Sequence, residues 1–209
     1  TGTASPVTPG AAPPVTYTHI PKETNQTQVT LAYPSAAFSS PDYYLARAAI
    51  SVLDGGMSSR LFTEVREKRG LCYSVYSYVA DHVDTGLLGV YTAANRDQER
   101  AAYDAIRQTV LDYADHGPTQ EELDRVREQA KANLLMGSES IQSRMSQLGA
   151  SALLYGKVRE TDELLAQYDA VTRQQLRELA QEIFQMDRAS LSAVGRVKAA
   201  ADYSAWLGR

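Results

Sequence analysis

Gly55-Gly56-Met57-Ser58-Ser59-Arg60-Leu61-Phe62-Thr63-Glu64-Val65-Arg66-Glu67-Lys68-Arg69-Gly70-Leu71-Cys72-Tyr73-Ser74-Val75-Tyr76-Ser77 holds the change of period that decides the fold. A glycine pair leads into a short amphipathic run in which Leu61, Phe62 and Val65 share a helical face. Ser58 or Ser59 offers an oxygen to cap it. The charged turn at Glu67-Lys68-Arg69 closes on Gly70, and from Cys72 the chain alternates Tyr, Val and Ser residues as a half-buried strand does. Helix, tight turn and strand therefore succeed one another without a linker.

The flanks extend the pattern. Residues 26–33 alternate Gln and Thr against Val, Leu and Ala, which predicts a strand stopped by Pro34 and the Ser39-Ser40-Pro41 cluster. Ser40 as N-cap with Pro41 at the first helical position predicts a helix with the stripe Leu45, Ala48, Ala49, Val52 and Leu53, ended by Gly55-Gly56. Residues 72–79 and 87–92 read as two strands joined around Asp84-Thr85-Gly86. A long helix over residues 97–116 stops at Gly117-Pro118. Thr119-Gln120-Glu121-Glu122 is a capping box opening a helix through Leu123, Val126, Ala130 and Leu134. Helical spacing then continues through Ile141, Met145, Leu148, Ala152 and Tyr155 to Gly156. Thr161-Asp162-Glu163 starts a short helix, Thr172 and Gln175 form a second capping box before Leu176, Leu179, Ala180 and Ile183, and residues 189–194 read as a last strand.

Strands and helices are segregated rather than alternating, which predicts an α+β fold, a mainly antiparallel sheet covered by helices. Residues 1–15 are rich in Pro, Ala and Thr without period, and read as a linker or flexible N-terminus. Residues 16–209 read as one domain. The chain opens on Thr1 rather than methionine, as a piece of a longer polypeptide does.

Bulk properties narrow the function. A chain of 209 residues buries roughly 70% of its unfolded surface. Its formal net charge of −4 leaves no basic footprint for nucleic acid. It has no apolar run of about 18 residues, so no membrane span is expected. Cys72 is the only cysteine, which excludes an internal disulfide framework and a thiolate zinc cluster, and a buried, inert thiol is its default. His19, His82 and His116 stand far apart, with no partner at the spacing that puts two ligands on one helix face, so no metal site is expected here. The serines after Gly56 lack the G-x-S-x-G context of a nucleophile, and the glycines lack the Lys-Ser/Thr of a phosphate loop.

Arg66 and Tyr73 remain. A helix-to-strand reversal of this length can bring both side chains to one end of the sheet. A guanidinium beside a phenol supplies donors and almost no acceptors, which suits a peptide carbonyl and the oxyanion formed on it. Residue chemistry alone favours an ordinary account, with an exposed helical arginine and a tyrosine packed on the core.

The segment from Gly55 to Tyr73, with its seven-residue step from arginine to tyrosine, resembles the second half of zinc peptidases of the insulinase, pitrilysin and mitochondrial processing peptidase family. The Gly-Gly-Met-Ser-Ser-Arg-Leu-Phe lead-in is similar to the bacterial processing-peptidase branch. The resemblance implies one half of a metallopeptidase clamshell, in which Arg66 and Tyr73 face the substrate carbonyl and Gly55 and Gly56 form the tight approach before the helix. It also implies that zinc and the general-base glutamate belong to a zinc-bearing N-terminal partner half, in the same polypeptide or a separate subunit. This chain lacks the inverted H-x-x-E-H motif. Substrates would be peptides or unfolded protein segments, and the chain alone is expected to be inactive. The rival expectation is a non-catalytic assembly or peptide-binding module of the same fold. The compartment is left between bacterial cytoplasm and periplasm.

Overall fold

The structure, a computed structural model, describes residues 17–208, so the linker reading of residues 1–15 lies outside the described residues. Five strands, β1 (Tyr17–Pro21), β2 (Thr27–Ser35), β3 (Ser74–Asp81), β4 (Gly86–Ala94) and β5 (Ser190–Gly195), form one sheet in the order β1-β5-β2-β4-β3. β1 runs parallel to β5, and every other pairing is antiparallel. Period-two burial fixes which face is which. Val29, Leu31 and Tyr33 on β2, Leu88 and Val90 on β4, and Leu191 and Ala193 on β5 all point to the buried side.

Helices cover that side: α1 (Tyr43–Leu53), α2 (Glu99–His116), α3 (Gln120–Glu139), α4 (Ile141–Tyr155), α5 (Thr161–Ala170), α6 (Arg173–Ile183) and α7 (Ala200–Trp206). The fold is α+β, as expected. α6 presents Leu176, Leu179, Ala180 and Ile183, the stripe read from sequence, to a core shared with α1, α2 and the sheet. Both capping boxes form: the Thr119 hydroxyl accepts from Glu122 N–H and Thr172 accepts from Gln175 N–H.

Several expectations are corrected. β2 runs on through Pro34 to Ser35. β5 flanks β2 only from Gln28 to Ala32, so Pro34 lies where the strand has one open side and its missing donor costs no ladder bond. α1 starts at Tyr43 rather than at Pro41, because the Ser40 hydroxyl accepts from Asp42 N–H and so serves the preceding turn. The helical spacing through 123–155 is broken at Ser140, whose extended backbone and hydroxyl cap α4. β1 and α7 were not expected. α7 is held by distant partners: the Tyr103 hydroxyl donates to the Trp206 carbonyl at 2.7 Å, and Tyr203 donates to Glu99 at 3.1 Å.

Candidate functional site

The path from α1 to β3 builds the site. After Leu53 the chain turns at Asp54, whose carboxylate accepts the Ser77 N–H at 2.8 Å. A Cβ on Gly55 would collide with the Ser51 carbonyl oxygen, and Gly56 has φ +111°. Gly55 thus permits a close approach to the end of α1, and Gly56 supplies a backbone conformation that residues with a Cβ rarely adopt. Neither Ser58 nor Ser59 caps the next helical turn with its side chain. Ser59 is fully buried with its hydroxyl unpaired, and its carbonyl accepts from Thr63 N–H.

Arg60 anchors the segment. Its guanidinium donates to both oxygens of Glu122 at 2.7 and 2.8 Å and to the Gly117 carbonyl at 2.9 Å, and it lies over the Tyr113 ring. Burial alone would raise the Glu122 pKa, but Arg60 and the Thr119 N–H together hold it below the usual carboxylate value. Sequence reasoning used Glu122 only as a cap and missed this node, which joins groups 62 residues apart.

Residues Phe62–Glu67 then form a wide, π-type helical turn rather than an α-helix, with Lys68 N–H donating to the Thr63 carbonyl. Val65 and Leu61 are fully buried and fix its inner face. Leu71 N–H returns to the Val65 carbonyl and Tyr73 N–H reaches the Ala93 carbonyl at 3.3 Å, which sets Tyr73 at the foot of β3. Wide turns of this kind occur often at functional sites.

The structure brings Arg66 and Tyr73 together. The guanidinium carbon lies 5.5 Å from the Tyr73 ring centroid and 5.0 Å from that of Phe62. Tyr73 is 74% exposed, which removes the account of it as a core residue. Arg66 is exposed, and among the described residues neither the guanidinium nor the phenol has a hydrogen-bond or ion-pair partner. The pair presents free donors to solvent. Cys72 beside it is half-buried, and burial pushes its thiol pKa up.

β3 is an edge strand, open on the side away from β4. That edge is occupied at its centre by Asp54 on Ser77 N–H. Desolvation pushes the Asp54 pKa up, and the Ser77 N–H only partly offsets it.

No metal chemistry is assembled here. Among the described residues no group of three His, Cys, Asp or Glu side chains could hold an ion. His116 is exposed and pairs with Asp112 on its own helix, and His82 is exposed in the β3–β4 connection. The described residues assemble no ligand set that fits zinc. No helix among the described residues is long and apolar enough to cross a membrane.

The chain is similar to known proteins over most of its length. The family model described as "Peptidase M16 inactive domain" matches residues 3–130. An uncharacterized zinc protease of Streptomyces coelicolor is 36% identical over 179 residues, 86% of this chain and 39% of that protein. The uncharacterized zinc protease YmxG of Bacillus subtilis is 36% identical over 168 residues, 80% of this chain and 41% of that protein. The crystal structure of a peptidase M16 inactive domain from Pseudomonas fluorescens superposes with a TM-score of 0.83 at 26% identity, covering 94% of this chain and 47% of that one. The chain thus spans less than half the length of these relatives. On the family model and on these relatives together, the chain belongs to the peptidase M16 family, as its inactive domain.

Proposed function

We propose that this chain lines the peptide-binding side of a two-part zinc peptidase, and that Arg66 and Tyr73 donate hydrogen bonds to the substrate carbonyl and to the oxyanion formed on it. The observation that supports this is the pair itself, two exposed donors in contact with no acceptor among the described residues. Donors aimed at developing negative charge contribute most where they are fixed in advance, and the wide turn and the foot of β3 supply that rigidity. Zinc and the water-activating base come from the partner half, in cis or in trans, and this chain contributes positioning and charge stabilisation. A peptide adding to the outer edge of β3 has to displace Asp54 from Ser77, or bind where the edge is free.

The second reading, an assembly module, has its own observation. Leu135, Met136, Ile141, Met145 and Leu153 on α3 and α4 are each more than half exposed, an apolar face suited to a partner domain. Such a face serves either reading, and only turnover separates them.

The test uses the chain combined with its zinc-bearing half and a quenched peptide substrate. Tyr73→Phe and Arg66→Ala should each lower kcat by roughly 10²–10³-fold, the range for loss of one oxyanion donor. Unfolding free energy should change by less than about 1 kcal/mol for Tyr73→Phe, since the hydroxyl leaves no buried partner unpaired. Near-normal kcat in both variants removes the proposed role and leaves the assembly reading.

A further inference from the structure

Away from Arg66 and Tyr73, the helical layer encloses a second concavity. A cavity of about 420 Å³ opens between α1, α3, α4 and α5, within the size range of ligand pockets. Its walls are aromatic. Phe38 lies 4.7 Å from Tyr43 and 5.1 Å from Tyr155, and Tyr44 lies 5.4 Å from Tyr168, centroid to centroid. Val79 of the edge strand β3 forms part of the lining. Burial pushes the Tyr43, Tyr44 and Tyr168 phenols up in pKa, so they stay neutral donors at physiological pH.

The charge in this pocket is one-sided. Its lining includes Arg47 and Arg159 and no Asp or Glu, in a chain whose formal net charge is −4. Arg47 is already paired with Asp81 at 3.1 Å. Arg159 is not. Its guanidinium carbon sits 3.5 Å from the Tyr155 ring centroid and 5.2 Å from that of Tyr44, its Nε is buried without a hydrogen-bond partner, and no ion pair reaches it among the described residues. Arg159 is half-buried, with Nε shut from water and unpaired; an N–H left without an acceptor is costly, and an anion entering the pocket would satisfy it.

The backbone around Arg159 is built to hold it there. Gly156 ends α4 in the left-handed conformation at φ +69° and reverses the chain. The buried Ser151 hydroxyl then donates to the Lys157 carbonyl at 2.9 Å and accepts the Arg159 N–H at 3.0 Å. One serine thus clamps both sides of the loop that carries the arginine.

We propose that this pocket binds a carboxylate carried on an apolar or aromatic body, the chemistry of a peptide's C-terminal residue, with the Arg159 guanidinium holding the carboxylate and the tyrosine-lined cavity taking the side chain. The proposal stands independently of the catalytic role of Arg66 and Tyr73, because it is read by binding to the chain alone.

Calorimetric titration of the full chain with N-acetylphenylalanine and with its amide tests it. A second pair of probes is a hexapeptide ending in phenylalanine with a free or an amidated C-terminus. The free acids should bind about 10–100-fold more tightly than the amides, the range for hydrogen bonds to a charged group. Arg159→Gln should abolish that preference with little change in melting temperature, Arg159→Lys should restore part of it, and Arg66→Ala should leave it intact. A peptide that binds more tightly than the amino-acid derivative assigns the pocket to chain ends, and equal affinities assign it to free acids. Both outcomes uphold the site. Equal binding of acid and amide, a preference that survives in Arg159→Gln, or no binding of any probe overturns it.

Discussion

Replacing Arg60 with methionine tests whether the segment carrying Arg66 is anchored as described. Methionine keeps an unbranched apolar stem over the Tyr113 ring, so the change removes hydrogen bonds and charge more than packing. Lost are two bonds to Glu122 at 2.7 and 2.8 Å and one to the Gly117 carbonyl. Both members of the Arg60–Glu122 pair have side chains only 14% exposed. The contact with Asp112 at 3.3 Å ends on a carboxylate 53% exposed and adds little. Breaking a buried pair from one side costs about 3–5 kcal/mol, and residual access to water places this one at the low end, about 3 kcal/mol. For a chain of this size that corresponds to roughly 6–12 °C in melting temperature. The pH dependence is a second check. Glu122 is held below its unfolded pKa, so its contribution is full above that value and is lost as pH falls through the folded value. Urea titrations should therefore show a gap between wild type and variant that is widest near neutrality and narrows as pH falls below the unfolded carboxylate value. The double variant Arg60→Met/Glu122→Gln should recover about 2 kcal/mol, because no carboxylate is then left unpaired. A loss under about 1 kcal/mol at pH 7, or a gap indifferent to pH, would falsify the anchor.

Two further substitutions probe the half-buried Asp54 and the buried Glu99. Asp54 has a folded pKa raised above its unfolded value, so its contribution is present at low pH and is lost as pH rises through the folded value. Asp54→Asn keeps an acceptor for Ser77 N–H and should be at least as stable as wild type at pH 7, with the advantage vanishing below about pH 4; a loss above about 1 kcal/mol at pH 7 contradicts the desolvation argument. Glu99 is fully buried, with one oxygen 2.8 Å from the Lys198 ammonium, an ion pair not aligned as a hydrogen bond, and the other accepting from Tyr203. Lys198→Met should cost about 3 kcal/mol. It should also release α7 first, so that fluorescence of Trp206, the sole tryptophan, changes at lower urea than far-UV circular dichroism; coincident transitions at wild-type midpoints count against this account.

What the sequence made legible was local. The two capping boxes form because each is a reciprocal bond between residues three apart, and the strand alternation at 27–35 and 74–81 was readable because each strand buries one face. What escaped is tertiary. β1 has five residues at the sheet edge, and α7 has seven whose partners Glu99 and Tyr103 lie about a hundred positions earlier. The widening of the 62–67 turn has no compositional mark, since it comes from burying Leu61 and Val65 while the chain doubles back at Gly70 to reach β3. Arg66 and Tyr73 were readable only through resemblance, because an exposed arginine and a strand tyrosine are common in any surface. Arg159 gave no signal, as its meaning lies in the tyrosines of α1 and α4 closing around it.

Three arginines show how structure can sort side chains that sequence cannot. Arg60 has a side chain 14% exposed and engages carboxylates or a carbonyl through all three guanidinium nitrogens, the pattern of a residue that holds the fold together. Six positions later Arg66 is exposed and rests on two aromatic rings, with no acceptor among the described residues. A guanidinium laid on aromatic faces is fixed in direction while its N–H groups stay unspent, a state that contributes little to stability and is useful when an acceptor arrives from outside. Arg159 is the intermediate case, held between two rings with Nε shut from water and unpaired. Loss of Arg60 should be read in the melt and loss of Arg66 in turnover. Loss of Arg159 should be read in the preference for an acid over its amide, because in each case the consequence is set by where the nitrogens point.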